Sequence, residues 1–159
     1  MRNKGKIIAI LLISIMVTVM IISCEDPMAK YSNDDLVIIV EIGMELSYGA
    51  FSLKHELVEE EFPNPGTYQL EELDISEIAN DGDDDDDDWV EIPEGQLILL
   101  EGEMIFTENT GTISAKIKIN NFKDAPSGTF NVIIDFLYNE SGTTYTKMTV
   151  NGRNVNFNN

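Results

Sequence analysis

Residues 110–120 alternate without a break. Ile113, Ala115, Ile117 and Ile119 take one side, and Thr112, Ser114, Lys116, Lys118 and Asn120 take the other. Successive side chains of an extended backbone point to opposite faces, so this pattern predicts a half-buried antiparallel strand. Such a strand needs partners of the same habit, and they follow directly. Residues 129–138 and 143–150 read as strands joined by a turn at 139–142, and Asn151-Gly152 is a favoured hairpin dipeptide leading into 153–157.

Upstream, the same reasoning gives more strands. Leu36 to Ile42 is short and rich in Val and Ile, which reads as a strand covered on both faces, and residues 46–53 read as another. An acidic turn or short helix over residues 57–61 precedes Pro63-Asn64-Pro65-Gly66, a loop with two fixed φ angles and a permissive glycine. Tyr68, Leu70 and Leu73 share a face only if a bulge near Glu71-Glu72 absorbs a phase slip. An acidic loop spans 80–88, Trp89 to Ile92 resumes a strand, Pro93-Glu94-Gly95 turns, and residues 96–107 form a long strand bent at Gly102. With no long amphipathic helix in this reading, about 8–10 short strands predict an all-β fold, an antiparallel β-sandwich or open barrel.

Cys24 is the only cysteine, so no disulfide can form within the chain and folding rests on an apolar core. The first six residues carry Arg2, Lys4 and Lys6, and the apolar stretch from Ile7 to Ile22 follows. At about 16 residues this stretch is short for a bilayer span and has the form of an export signal. The run Ile21-Ile22-Ser23-Cys24 at its end resembles the bacterial lipobox. That resemblance implies cleavage between Ser23 and Cys24, diacylglycerol on the Cys24 thiol and acylation, typically by palmitate, of the new amino terminus. Two or three acyl chains, at about 0.8 kcal/mol per buried methylene, make a stable anchor. The expected organisation is a signal peptide over 1–23, a lipidated tether over 24–35 and a single β domain over 36–159.

Removing the signal takes three basic residues and no acid, so the formal charge falls from −19 to −22. A surface this negative disfavours nucleic acid and anionic lipid head groups as partners. The acids are also unevenly placed: 26 of 29 lie in residues 25–108, leaving three against five basic residues in 109–159.

The C-terminal half is similar to small all-β lipoproteins of Bacteroidetes, most of unknown function. The residues that carry the likeness are Gly111-Thr112-Ile113, Ile117 through Asp124, Ser127-Gly128-Thr129-Phe130 and Thr149-Val150-Asn151-Gly152-Arg153, with Pro65-Gly66-Thr67-Tyr68 upstream. The resemblance implies a fold and a compartment and supplies no catalytic residue. Glu25-Asp26 beside the cysteine resembles an inner-membrane retention mark in enterobacteria and a surface-export mark in Bacteroidetes. The second likeness favours the outer membrane, with surface display as an option.

His55 is the sole histidine, which excludes multi-histidine metal sites, and with no free thiol beyond Cys24 it excludes Cys–His catalysis in the domain. It reads as a surface or loop residue. Glu59-Glu60-Glu61 and Glu71-Glu72 could form a glycosidase pair in principle, but nothing selects two carboxylates from 29. Trp89, with Tyr31, Tyr48, Tyr68, Tyr138 and Tyr145, could present an aromatic platform to sugars, although aromatics in such folds more often fill the core.

The expected function is therefore that of a non-enzymatic, membrane-anchored envelope lipoprotein acting by binding or assembly on a protein or glycan partner. The alternative is a carbohydrate- or calcium-dependent binding module at the cell surface. Calcium would fall to Asp81, Asp83, Asp85 and Asp87, whose hard oxygens suit it; no other cofactor is expected. Contiguous aspartates splay apart and repel, so a solvated loop is the simpler reading of Asp83 to Asp88. The expected outcome of adding millimolar calcium is an unchanged melting temperature; a rise of several degrees would instead assign the ion to this loop.

Overall fold

The computed structural model describes residues 26–55, 64–75, 77–79, 89–139 and 142–156. The chain divides into two units, Met1–Lys30 and Tyr31–Asn159. In the first, residues 26–30 form a turn in which the Asp26 carbonyl accepts from the Ala29 N–H at 2.8 Å and its carboxylate accepts from the Met28 N–H at 2.9 Å.

The described part of the second unit is mostly antiparallel β, as the alternation predicts. It holds one helix, α1 (Asn33–His55), and the strands β1 (Gly66–Leu70), β2 (Leu73–Asp74), β3 (Glu77–Ala79), β4 (Trp89–Glu91), β5 (Leu97–Phe106), β6 (Thr110–Ile119), β7 (Gly128–Asn139), β8 (Gly142–Val150) and β9 (Arg153–Asn154). Seven strands form one sheet in the order β1-β5-β6-β7-β8-β9, with β2 also paired to β5; β3 and β4 make a separate two-stranded ribbon. The main sheet is open, and the layer on its apolar face is the helix.

That helix replaces the two strands expected at 36–42 and 46–53. Leu36, Ile39, Val40, Gly43, Ser47 and Ala50 are buried, a spacing of three and four that only a helix brings to one face. Its start is fixed by a reciprocal cap: the Asp35 N–H donates to Ser32 Oγ at 3.1 Å while the Ser32 N–H donates to Asp35 Oδ2 at 2.7 Å. Asp34 and Asp35 in the first turn, and Lys54 and His55 in the last, complement the helix dipole. The helix thus opens at Asn33, inside the stretch expected to be tether. It is long and apolar enough to cross a bilayer, but half of its most apolar window is buried inside the protein, where it serves as the core helix.

The strands present one face to it. Ile113, Ala115, Ile117 and Ile119 of β6, with Phe130, Val132, Ile134 and Phe136 of β7, are all buried. The helix comes close to the sheet at Gly43, where a Cβ would stand 3.1 to 3.3 Å from the side chain of Val132. A second close approach lies within the sheet: Gly111 faces Phe136 across the ladder, and the ring occupies the space where a Cβ would be.

Phase slips keep this face continuous. In β5, Leu97 and Leu99 point inward, the register to β6 shifts between Leu99 and Glu101, and Met104 and Phe106 then point inward. Without that bulge Glu101 and Glu103 would face the core. The bend expected at Gly102 is this bulge, two residues earlier. Opposite it, β1 and β2 break at Glu71-Glu72, where the sequence predicts the slip: Leu70 pairs with Gly102 and Leu73 with Leu99.

The C-terminal hairpin turns at Asn151 and Gly152, with φ of 48° and 82°, the left-handed pair its Asn-Gly sequence predicts. It locks the helix start from afar: Asn33 Nδ2 donates to the Asn156 carbonyl at 2.7 Å, the Asn156 N–H returns to Asn33 Oδ1 at 3.0 Å, and Arg153 Nη1 donates to the Tyr31 carbonyl at 2.9 Å.

Helix and strand make opposite forecasts for two neighbours. Phe51 is 1% exposed and Leu53 is 75% exposed, whereas in a strand both would share a face. Phe51→Ala should cost about 3–5 kcal/mol and Leu53→Ala less than about 0.5 kcal/mol, read from urea midpoints; equal losses would contradict the helix.

Candidate functional site

An apolar groove of about 350 Å3 opens between α1 and the loop joining β6 to β7. Its first wall is helical. Ile38, Ile42 and Leu46 line it, with Glu41 and Glu45 on the same flank at the outer rim. These five recur at spacings of three and four, so they form a single surface. Ile42 and Leu46 are buried, and both glutamates are exposed.

The second wall is the loop, with Phe122 and Ala125 half-buried and Lys123 and Asp124 exposed. Ile75 and Leu97 complete the lining. The loop is tightly held. Asn120 Nδ2 donates to the Gly95 carbonyl at 2.6 Å, the Asn121 N–H donates to Ser127 Oγ at 2.9 Å, and the Ala125 N–H donates to the Phe122 carbonyl at 2.9 Å. These bonds hold Asn121 and Lys123 in left-handed backbone at φ 52° and 42°. Asparagine tolerates that region; for lysine it costs about 1–2 kcal/mol. The Lys123 ammonium sits 5.3 Å from the centre of the Phe122 ring, within cation–π range.

Electrostatically the rim is acidic. Glu41 and Glu45 are one turn apart, and like charges so placed destabilise a helix by about 0.2–0.5 kcal/mol. The ion pairs among the described residues lie elsewhere: Lys54 with Glu71 at 2.6 Å and Lys116 with Glu101 at 3.1 Å. The lining residues carry no hydroxyl, thiol or imidazole. Such a surface can hold an apolar group and a positive charge beside it.

A second, polar groove of about 450 Å3 follows the outer edge of β8, lined by residues 143–148 with Val155 and Asn156. β9 pairs only with Thr149 and Val150, so among the described residues no strand covers the edge at 143–147. Tyr145 here stacks edge-on to Phe136 at 6.3 Å. Its phenol also acts on Tyr48 of α1: burial first, and Tyr145 second, push the Tyr48 pKa from 10.0 up to about 12.

Cys24, Ser23 and the calcium candidates Asp81, Asp83, Asp85 and Asp87 lie outside the described residues, as do Glu59 to Glu61. The ribbon of β3 and β4 pairs Ala79 with Trp89, the described residues on either side of the acidic segment. Among the described residues no three His, Cys, Asp or Glu side chains gather as a metal site. Glu71 is on the surface, and the hydrogen bond from Lys54 lowers its pKa. His55, expected on a surface or loop, stands instead in the last turn of α1, half-buried against Phe51 at 4.9 Å and Tyr68 at 5.1 Å.

Three of the tyrosines are taken up in packing, and the side chain of Trp89 lies outside the described residues. Tyr138 is buried and donates to the Thr107 carbonyl, Tyr68 packs on Phe51 and Phe106, and Tyr31 packs on Phe130. No signal in the sequence brings Glu41 and Glu45 beside Phe122 and Lys123, because that adjacency exists only in the tertiary fold. Comparison with protein-family models, with curated proteins and with solved structures finds no match to this chain.

Tyr48 gives a pH test. Its folded pKa is above its unfolded value, so the native state holds a proton that the unfolded chain releases between pH 10 and about 12. Its contribution is fully present below pH 10 and is lost as pH rises through about 12. Titrating phenolate absorbance should show a late-ionising component that disappears in Tyr48→Phe and shifts down in Tyr145→Phe.

Proposed function

We propose that this protein is a lipid-anchored envelope lipoprotein, non-enzymatic, that acts by binding or assembly on a partner outside the bilayer. The observation that carries the binding half is the groove between α1 and the β6–β7 loop, apolar within and carboxylate-rimmed, with a wall held in unfavourable backbone geometry. Strain of this kind persists where surrounding contacts over-determine it, and it concentrates at sites that bind.

The anchoring half is supported by sequence. A basic start, an apolar stretch and Ile21-Ile22-Ser23-Cys24 together meet the requirements of signal processing and thiol acylation. The likeness to Bacteroidetes lipoproteins favours the outer membrane, and with it exposure either to the periplasm or to the cell surface.

A carbohydrate-binding role is the second reading. What favours it is the β8 edge, where Thr143, Thr144 and Thr146 offer hydroxyls beside Tyr145, which is 40% exposed. Loss of glycan-array binding on Tyr145→Ala would support that reading, with Trp89→Ala as the second position to test.

Cells fed labelled palmitate should incorporate it into the wild-type protein, and Cys24→Ala should abolish the label and move the protein out of the membrane fraction. Label persisting in Cys24→Ala would refute the anchor. Protease shaving of intact cells with an epitope after Asn159 then assigns the leaflet: loss of the epitope without lysis means surface display, and protection until permeabilisation means a periplasmic face.

A further inference from the structure

We infer that the groove between α1 and the β6–β7 loop is a docking site for a basic, apolar peptide segment of a partner protein, leucine-like side chains entering the groove and lysine or arginine reaching Glu41 and Glu45. The inference rests on the binding reading above and names the chemistry of its partner.

Charge complementarity selects this occupant. Glu41 and Glu45 repel each other on one rim, are exposed, and take part in no ion pair among the described residues. A cation between them would replace repulsion with two attractions, in the mode by which acidic-rimmed grooves read amphipathic peptides. Asp124 adds a third carboxylate on the opposite wall, while Lys123 lies toward the Phe122 ring. Ile38 on one side and Phe122 on the other, both half-buried, supply the dry contact that makes such charge contacts effective. A second copy of this chain fits poorly: a formal charge of −19, or −22 once the signal is lost, sets like charge against like.

The test uses the full chain in neutral detergent micelles and two short capped peptides, one of leucines flanked by lysines and the other with glutamate in place of every lysine. Saturable binding of the lysine peptide and none of the glutamate peptide is expected. Glu41→Gln with Glu45→Gln should weaken it about tenfold, the loss of about 1.4 kcal/mol, and Ala125→Phe, which fills the groove, should abolish it. Thermal melts of each variant establish that the fold is kept, and high salt should weaken the wild-type complex.

Equal affinity for both peptides, unchanged affinity in the folded variants, or no saturable binding at all would overturn the inference. So would displacement of the peptide by octylamine at equal concentration, which would assign a small amphiphile, or self-association that Ala125→Phe abolishes, which would assign a second copy. Failure here with palmitate label intact on Cys24 leaves the anchored-lipoprotein reading standing. Loss of that reading through the Cys24 test leaves the peptide result untouched.

Discussion

A sheet with one apolar face cannot be left open to water, and no disulfide is there to hold this one together. Ile113, Ile117 and Ile119 of β6 and Phe130, Val132 and Ile134 of β7 must be covered by something, and among the described residues α1 is the cover. Each fully buried aliphatic side chain contributes about 1.5–3 kcal/mol, against which the surface ion pairs, worth at most about 1 kcal/mol each, are minor. Where Gly43 meets Val132 a Cβ would stand 3.1 Å from the valine side chain, so the absent side chain lets helix and sheet lie close there. Helix position then determines the rest: the cap at Ser32, the clamp from Asn156 and Arg153, and the flank that forms the groove.

The continuity of the covered face depends on errors of phase placed in the right positions. β5 carries carboxylates at Glu101 and Glu103, which the bulge after Leu99 turns outward to meet Lys116 and Gln69. The partner strand accommodates by breaking at Glu71-Glu72 instead of pairing through it. A uniform ladder would have buried two charges, far more costly than one lost pairing. Bulge and break are thus one solution seen from two strands.

Strands were legible because their signal is local. The alternation of β6, the Asn-Gly turn and the slip at Glu71-Glu72 all depend on residues within reach of each other along the chain. The helix was not legible, for a physical reason: Val37, Ile38, Ile39, Val40 and Ile42 are β-branched, weak helix formers that favour strands in isolation. Burial against the sheet overrides that preference. The signals that resist it were present in Ser32 and Asp35 as a capping box and in the recurrence of Leu36, Ile39, Val40, Gly43 and Ser47. The groove is equally invisible along the chain, since Ile38 and Phe122 lie on walls that only the tertiary fold brings together.

The uneven charge of the chain acquires a physical meaning from this arrangement. Most acids belong to the first half, which supplies the helix and both glutamates of the rim, while residues 109–159 carry five basic residues against three acids. Folding lays the helix over the inner face of the sheet, whose outer face mixes Lys116 and Lys118 with Glu101, Glu103 and Asp135, so charge is balanced across the strands while Glu41 and Glu45 stand together on the helix. Glu41 and Glu45 could have been replaced by neutral or basic residues without loss to the core, because neither is buried. Beside an open apolar groove they leave a local repulsion that a bound cation would relieve, so what is unfavourable for the isolated fold suits a partner.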